Sequence, residues 1–196
     1  MSELLDVGRE VLRKEAAAIV EVMERLGSDF DDFVRMINAC SGRVIVTGIG
    51  KSGLISKKIA ATFSSIGIPA VYLHPADSLH GDLGMVQKGD IFFIISYSGE
   101  TEEVIRMFPW IKRMGIATLA VTGNPESTIA GFADYVLNVR VEEACPYNMV
   151  PTSSTTTTLA LGDAIAVALM KERNSGKKIL RFCIPEEASG VSFYSR

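Results

Sequence analysis

Residues 91–104 read IFFIISYSGETEEV, five apolar residues followed by two serines, a glycine and a threonine within six positions. An unbroken apolar run of that length is a strand covered on both faces, and the small polar residues after it form a strand-to-helix turn. The same alternation recurs on either side. Further apolar runs lie at 43–48 (RVIVTG), 69–74 (PAVYLH), 116–123 (IATLAVTG) and 134–139 (DYVLNV). Helical stretches are predicted at 53–66, 101–114 and 125–132, with a long one at about 153–173. Apolar strands alternating with helices predict a doubly wound α/β domain: a five-stranded parallel sheet in a three-layer α/β/α sandwich of flavodoxin-like type, with right-handed crossovers.

Before the first strand the pattern is helical. Leu5, Leu12, Ile19 and Leu26 recur every seven residues, with Ala16, Val22 and Met23 beside them, giving one apolar stripe on a helix that Gly27 stops. Such a stripe packs either within the chain or on a partner subunit. Ser28 and Asp31 have the spacing of a capping box for a second helix running to about Cys40. The organisation read from this is one domain over 1–196, with helices at 1–41, the α/β core at 42–175 and a tail at 176–196.

Composition narrows the function classes. Hydrophobic residues make up 47% and charged residues 22%, the balance of an ordered protein with a large core. A net charge of −3 without a basic cluster argues against nucleic acid as a partner. Three scattered cysteines, Cys40, Cys145 and Cys183, suit free thiols in a reducing compartment. The first ten residues mix acids and bases, unlike a secretory signal, and LALGDAIAVALM is too short to span a bilayer. A cytoplasmic protein is expected, with no membrane contact.

In doubly wound sheets ligands bind beyond the carboxyl ends of the strands, so the loops there carry the chemistry. After the first strand comes GIGKSG, 48–53. It matches the glycine spacing of a dinucleotide site, but the next strand ends YLHP with no acid for a ribose, and Ile45 stands where a phosphate-binding loop of the GxxxxGK type needs its first glycine. What survives is an anion seat built from backbone N–H groups, Ser52 and Lys51 at a helix start, or a plain tight turn. SYSGET is a second such turn, setting Ser96, Ser98 and Thr101 at the positive end of the next helix. A cap needs one hydroxyl, whereas three neutral donors suit a phosphate monoester.

These residues resemble a known family. GIGKSG, SYSGET, HPADSLHGDLGM and EEACPYNMVPTSSTTTTLALGDAIA are similar to the sugar isomerase (SIS) domain, and the last two most resemble arabinose 5-phosphate isomerases, over about residues 3–175. The resemblance implies an aldose–ketose isomerase interconverting arabinose 5-phosphate and ribulose 5-phosphate through an enediol. It uses no cofactor, acts as a homo-oligomer (dimer or tetramer) with shared active sites, and supplies the eight-carbon sugar acid of lipopolysaccharide or capsule. It further implies phosphate binding by Ser52, Ser96, Ser98 and Thr101, with Lys51 beside the sugar and Glu143, His80 and Glu103 as active-site groups. Glu143 is assigned as the enediol base, with Glu142 as its nearest rival. Each has a bland alternative, since Glu143 and Glu103 also read as surface carboxylates and Lys51 as a surface cation.

His80 is flanked by Asp82, a candidate orienting carboxylate, while His74, before Pro75, either lines the crevice or fills a turn. Gly50, Thr152 and Ser153 are further candidates for lining the substrate. His80, Asp82 and Cys145 lack the spacing of a structural zinc motif, and no catalytic metal is expected. The chain departs from the family in its tail. Relatives carry a segment resembling F-x-x-x-H-P-x-G-x-L-G; here RFCIPEEASG puts Ile184 in place of the histidine, with Glu186 and Glu187 for small residues. The paired CBS domains that many relatives append are not expected. An isoleucine moves no proton, so lowered activity, or a non-catalytic sugar-phosphate-binding regulatory module, stays open beside the enzyme, as does an isomerase of another phosphosugar.

Overall fold

The computed structural model describes residues 3–173. Five strands form one sheet: β1 (Val44–Thr47), β2 (Ala70–Leu73), β3 (Ile91–Ile95), β4 (Ala117–Thr122) and β5 (Tyr135–Asn138). Their order is β2-β1-β3-β4-β5, every pair parallel. Thr47 is level with Leu73 on one side and Ile94 on the other, so β1, β2 and β3 end together.

The apolar runs are continuous because both faces of the sheet are covered. Val44, Val46, Ile91, Phe93, Ile95, Leu119 and Val121 join one core layer with residues of α1 (Glu3–Arg25), α2 (Ser28–Asn38), α3 (Gly50–Ser65) and α8 (Ser153–Glu172). Ile45, Phe92, Ile94 and Ala120 join the other, against α5 (Glu102–Ile105), α6 (Phe108–Met114), α7 (Thr128–Phe132) and the segment before β3. That segment holds α4 (Pro75–Leu79) and a 3₁₀ turn (Asp82–Met85), neither of which the strand-and-helix periodicity predicts.

Two expectations need correction. The helix predicted over 101–114 is two, because Pro109 has no N–H to continue the ladder and a new helix starts at Phe108. The capping box at Ser28 does not form: Gly27 is the cap and no side chain accepts there. On α1 the residues buried within the chain are Ala18 and Val22, while Leu5, Leu12 and Ile19 are 48%, 69% and 37% exposed. Only part of the stripe is packed inside the chain: Val22 and Leu26 join the core layer beside Ala18, while Leu5 and Leu12 stay uncovered although α1 runs along α8.

Helix α8 lies close on α3. Gly162 leaves room for Ile59, since an added Cβ would sit 2.5 Å from its Cδ1, and Lys58 pairs with Asp163 across the two helices. The tail, with Cys183, Ile184, Glu186 and Glu187, lies outside the described residues. Among the described residues no helix is long and apolar enough to cross a membrane.

Candidate active site

Where β1 and β3 end, a cavity of about 220 Å³ opens between α3, α8 and the loop after β5. Lys51, Ser52 and Ile55 come to its wall from α3, Ile95 and Tyr97 from the end of β3, Glu143 from the loop, and Ser154, Thr155 and Thr158 from α8.

The glycines of GIGKSG serve close packing. A Cβ on Gly48 would lie 2.8 Å from the Ile95 carbonyl oxygen, and one on Gly53 would lie 2.8 Å from that of Gly48. Gly50, the first residue of α3, adopts φ +61°, which side chains disfavour. The turn is pinned by Tyr72, whose hydroxyl donates to the Gly48 carbonyl at 2.9 Å. It leaves Lys51 and Ser52 in the first turn of a 16-residue helix, where N–H groups are free of intrahelical partners and the dipole favours an anion.

The second turn is tighter than expected. Ser96 is buried, its Oγ lies 2.7 Å from Thr101 Oγ1, and it accepts the Gly99 N–H at 3.2 Å. Exposed Ser98 accepts the Glu100 N–H. Gly99, at φ +68°, lies so near Ser127 that a Cβ would be 1.9 Å from its Oγ. Ser96, Ser98 and Thr101 are thus gathered, but among the four predicted phosphate ligands only Ser52 reaches the cavity wall. The helix behind them, α5, spans four residues, so its dipole is far smaller than that of α3.

Glu143 is the most firmly held group in the site. Its Oε2 accepts from the Thr152 N–H at 2.7 Å, the Thr152 hydroxyl at 3.0 Å and the Ser154 N–H at 3.2 Å. It therefore caps α8 from across the loop, where Thr152 gives no cap bond of its own. Thr152 Oγ1 in turn accepts the N–H groups of Ala144 and Cys145. Burial pushes the Glu143 carboxyl up, but the Ser154 hydroxyl and the Thr152 and Ser154 N–H groups outweigh it and hold the pKa below the usual value. Its neighbour Glu142 is exposed and joins Glu143, Lys14 and Glu21 around a separate cavity of about 180 Å³ beside α1.

The other predicted groups stand apart. His80 is exposed at the end of α4, and among the described residues Asp82 makes no bond to it. His74 sits edge-on to Tyr72 at 6.3 Å, its Nδ1 buried 3.8 Å from the Asp77 carboxylate. Glu103 is half-buried in α5 and away from the cavity wall. Ser153 is fully buried, with no partner for its hydroxyl among the described residues. Sequence reasoning missed Tyr97, Ser154, Thr155 and Thr158. The last three follow from helical spacing: taking the run from 151 as one helix face selects 151, 154, 155 and 158. Their hydroxyl protons are largely committed, since Thr155 donates to Thr152 O at 2.9 Å and Thr158 to Ser154 O at 2.7 Å, so they present oxygen lone pairs.

Among the described residues no three His, Cys, Asp or Glu side chains converge as metal ligands. The Cys145 thiol is drawn below its usual pKa by the N–H groups of Tyr147, Val150 and Met149, while burial pushes that of Cys40 up.

A model of the SIS domain matches residues 37–168. The chain belongs to the SIS domain family. Within it, the chain is 45% identical to the arabinose 5-phosphate isomerase GutQ of Escherichia coli K12, over 100% of its own length and 62% of the relative's. It is 44% identical to the arabinose 5-phosphate isomerase KdsD of Pseudomonas aeruginosa, over 97% of its own length and 60% of the relative's. It therefore spans about three fifths of those relatives. A solved protein of Escherichia coli CFT073, in complex with arabinose 5-phosphate, superposes with TM-score 0.89 at 34% identity, covering 93% of this chain and 98% of that one.

Proposed function

We propose that the chain is an aldose–ketose isomerase that interconverts arabinose 5-phosphate and ribulose 5-phosphate. The observation that carries this is an ionised carboxylate, Glu143, fixed at the wall of the same cavity as Ser52 and Lys51 at the start of α3. The names of GutQ and KdsD supply the substrate. In the open-chain sugar, Glu143 takes the proton from carbon 2 to give the enediolate and returns it to carbon 1. The hydroxyl proton of oxygen 2 passes to oxygen 1, so that oxygen 2 becomes the new carbonyl, and the charge that builds on oxygen 1 meanwhile is met by Lys51. The phosphate sits at the start of α3 on Ser52, with the Ser96–Thr101 turn beside it. Thr155 and Thr158 accept from sugar hydroxyls. His80 and Glu103, off the cavity wall within one chain, enter this reading as active-site groups where subunits share a site.

The protein is read as a cytoplasmic homo-oligomer, a dimer or tetramer that shares active sites, its uncovered Leu5, Leu12 and Ile19 supporting association. The same reading places its product upstream of the eight-carbon sugar acid of lipopolysaccharide or capsule. Incubation of the purified protein with arabinose 5-phosphate is expected to give saturable formation of ribulose 5-phosphate; none at micromolar enzyme overturns the reading. Ile184 in place of the family histidine favours a second reading, a sugar-phosphate-binding module, which predicts a ligand-induced rise in melting temperature without turnover.

A further inference from the structure

Tyr97 stands between Ser96 and Ser98, and its side chain crosses to the segment that leads to Glu143. The hydroxyl donates to the Val141 carbonyl at 2.7 Å and accepts the Val141 N–H at 3.2 Å. Strand β5 ends at Asn138, so among the described residues no strand partner holds Val141; the tyrosine takes up both polar groups of that residue. On the other side, the Tyr97 ring is wedged against Gly123, where an added Cβ would fall 2.5 Å from the ring. The Tyr97 carbonyl accepts the Gly123 N–H at 2.9 Å. The side chain is therefore fixed at both ends, and it shares the cavity wall with Glu143.

A half-buried tyrosine needs one partner for its hydroxyl, and a single bond would satisfy it. Two bonds to the N–H and C=O of one residue do more, since they fix the position and the rotation of that stretch of backbone. Val141 is itself buried and lies two residues before Glu143. We infer that Tyr97 is a positioning residue: it ties the turn beside the phosphate seat to the backbone that presents Glu143, setting where the proton acceptor stands in the cavity. The inference rests on the isomerase reading above, in which Ser52 and Glu143 hold opposite ends of one substrate.

The test is Tyr97→Phe, which keeps the ring against Gly123 and removes both bonds to Val141. With arabinose 5-phosphate the variant is expected to lose roughly 10- to 100-fold in kcat, the scale of a misplacement near 1 Å, with KM changed by no more than about twofold. Gly123→Ala, which pushes the ring from the other side, is expected to lower kcat in the same way. Unchanged kcat in both variants overturns the inference, and so does a loss expressed as raised KM at unchanged kcat, which would make Tyr97 a substrate-binding group. Absence of turnover in the unaltered protein defeats the isomerase reading and this inference together; normal turnover there with unchanged variants defeats this inference alone.

Discussion

Three hydrogen bonds to one oxygen make Glu143 an anion at neutral pH and a weak base by its pKa alone. In the proposed reaction its contribution comes from placement, because a fixed acceptor in a small cavity loses little entropy in reaching the proton. Glu143→Gln keeps the shape and an acceptor oxygen for α8 but cannot take a proton. Turnover of arabinose 5-phosphate by this variant is expected to fall about 10²- to 10⁴-fold, while the ligand still raises the melting temperature. An unchanged rate would remove Glu143 from the chemistry. At this scale the sequence was legible where a side chain's placement depends on neighbours in the chain, as for Lys51 and Ser52 in the first turn of α3. It was not legible where the partner is remote: the cap of α8 by Glu143 spans a loop, and Tyr97 meets Val141 44 residues away.

The elements follow from short-range pattern, and so all five strands were readable from their apolar runs, whereas the side on which α1 packs was not. A leucine stripe announces an apolar face without saying which neighbour covers it, and within the chain only its C-terminal part, Val22 and Leu26, is covered, beside Ala18. The α3 glycines show packing overriding local preference. Helix propensity alone would favour Gly53→Ala by up to about 1 kcal/mol. The added Cβ, however, would meet the Gly48 backbone oxygen at 2.8 Å, and backbone there is held by Tyr72. The variant is expected to lose about 1–3 kcal/mol in denaturant unfolding. A gain in stability would show that the turn yields and that the glycine is not needed for contact.

For the whole molecule, two observations set conditions of stability. Asp90 is 4% exposed at the entry to β3; its carboxylate accepts the N–H groups of Arg43 at 2.7 Å and Gln87 at 2.9 Å, with the Arg43 guanidinium at 3.1 Å. Burial raises its pKa, but the Gln87 and Arg43 bonds outweigh that, so the folded value lies below the unfolded one. A lowered folded pKa gives stability that is complete above the unfolded pKa, about 3.9, and is lost as pH falls through the folded value. Asp90→Asn is therefore expected to be less stable than the unaltered protein at pH 7, with the gap narrowing as the pH is taken below about 4. A gap independent of pH would show that the charge is not involved. The second observation is the uncovered stripe on α1. Replacing Leu5 and Leu12 together by glutamate is expected to shift the mass in light scattering toward the monomer, and an unchanged mass would place the subunit contact elsewhere. Last, groups that carry out reactions often sit at the expense of the fold, so that erasing them firms the structure. On the proposed reading the carboxylate at 143 breaks that pattern, because it also closes the open end of a 20-residue helix. Truncation to alanine should soften the protein by about 0.5–2 kcal/mol as well as silence it, so drift toward inactivity at this one position is punished twice.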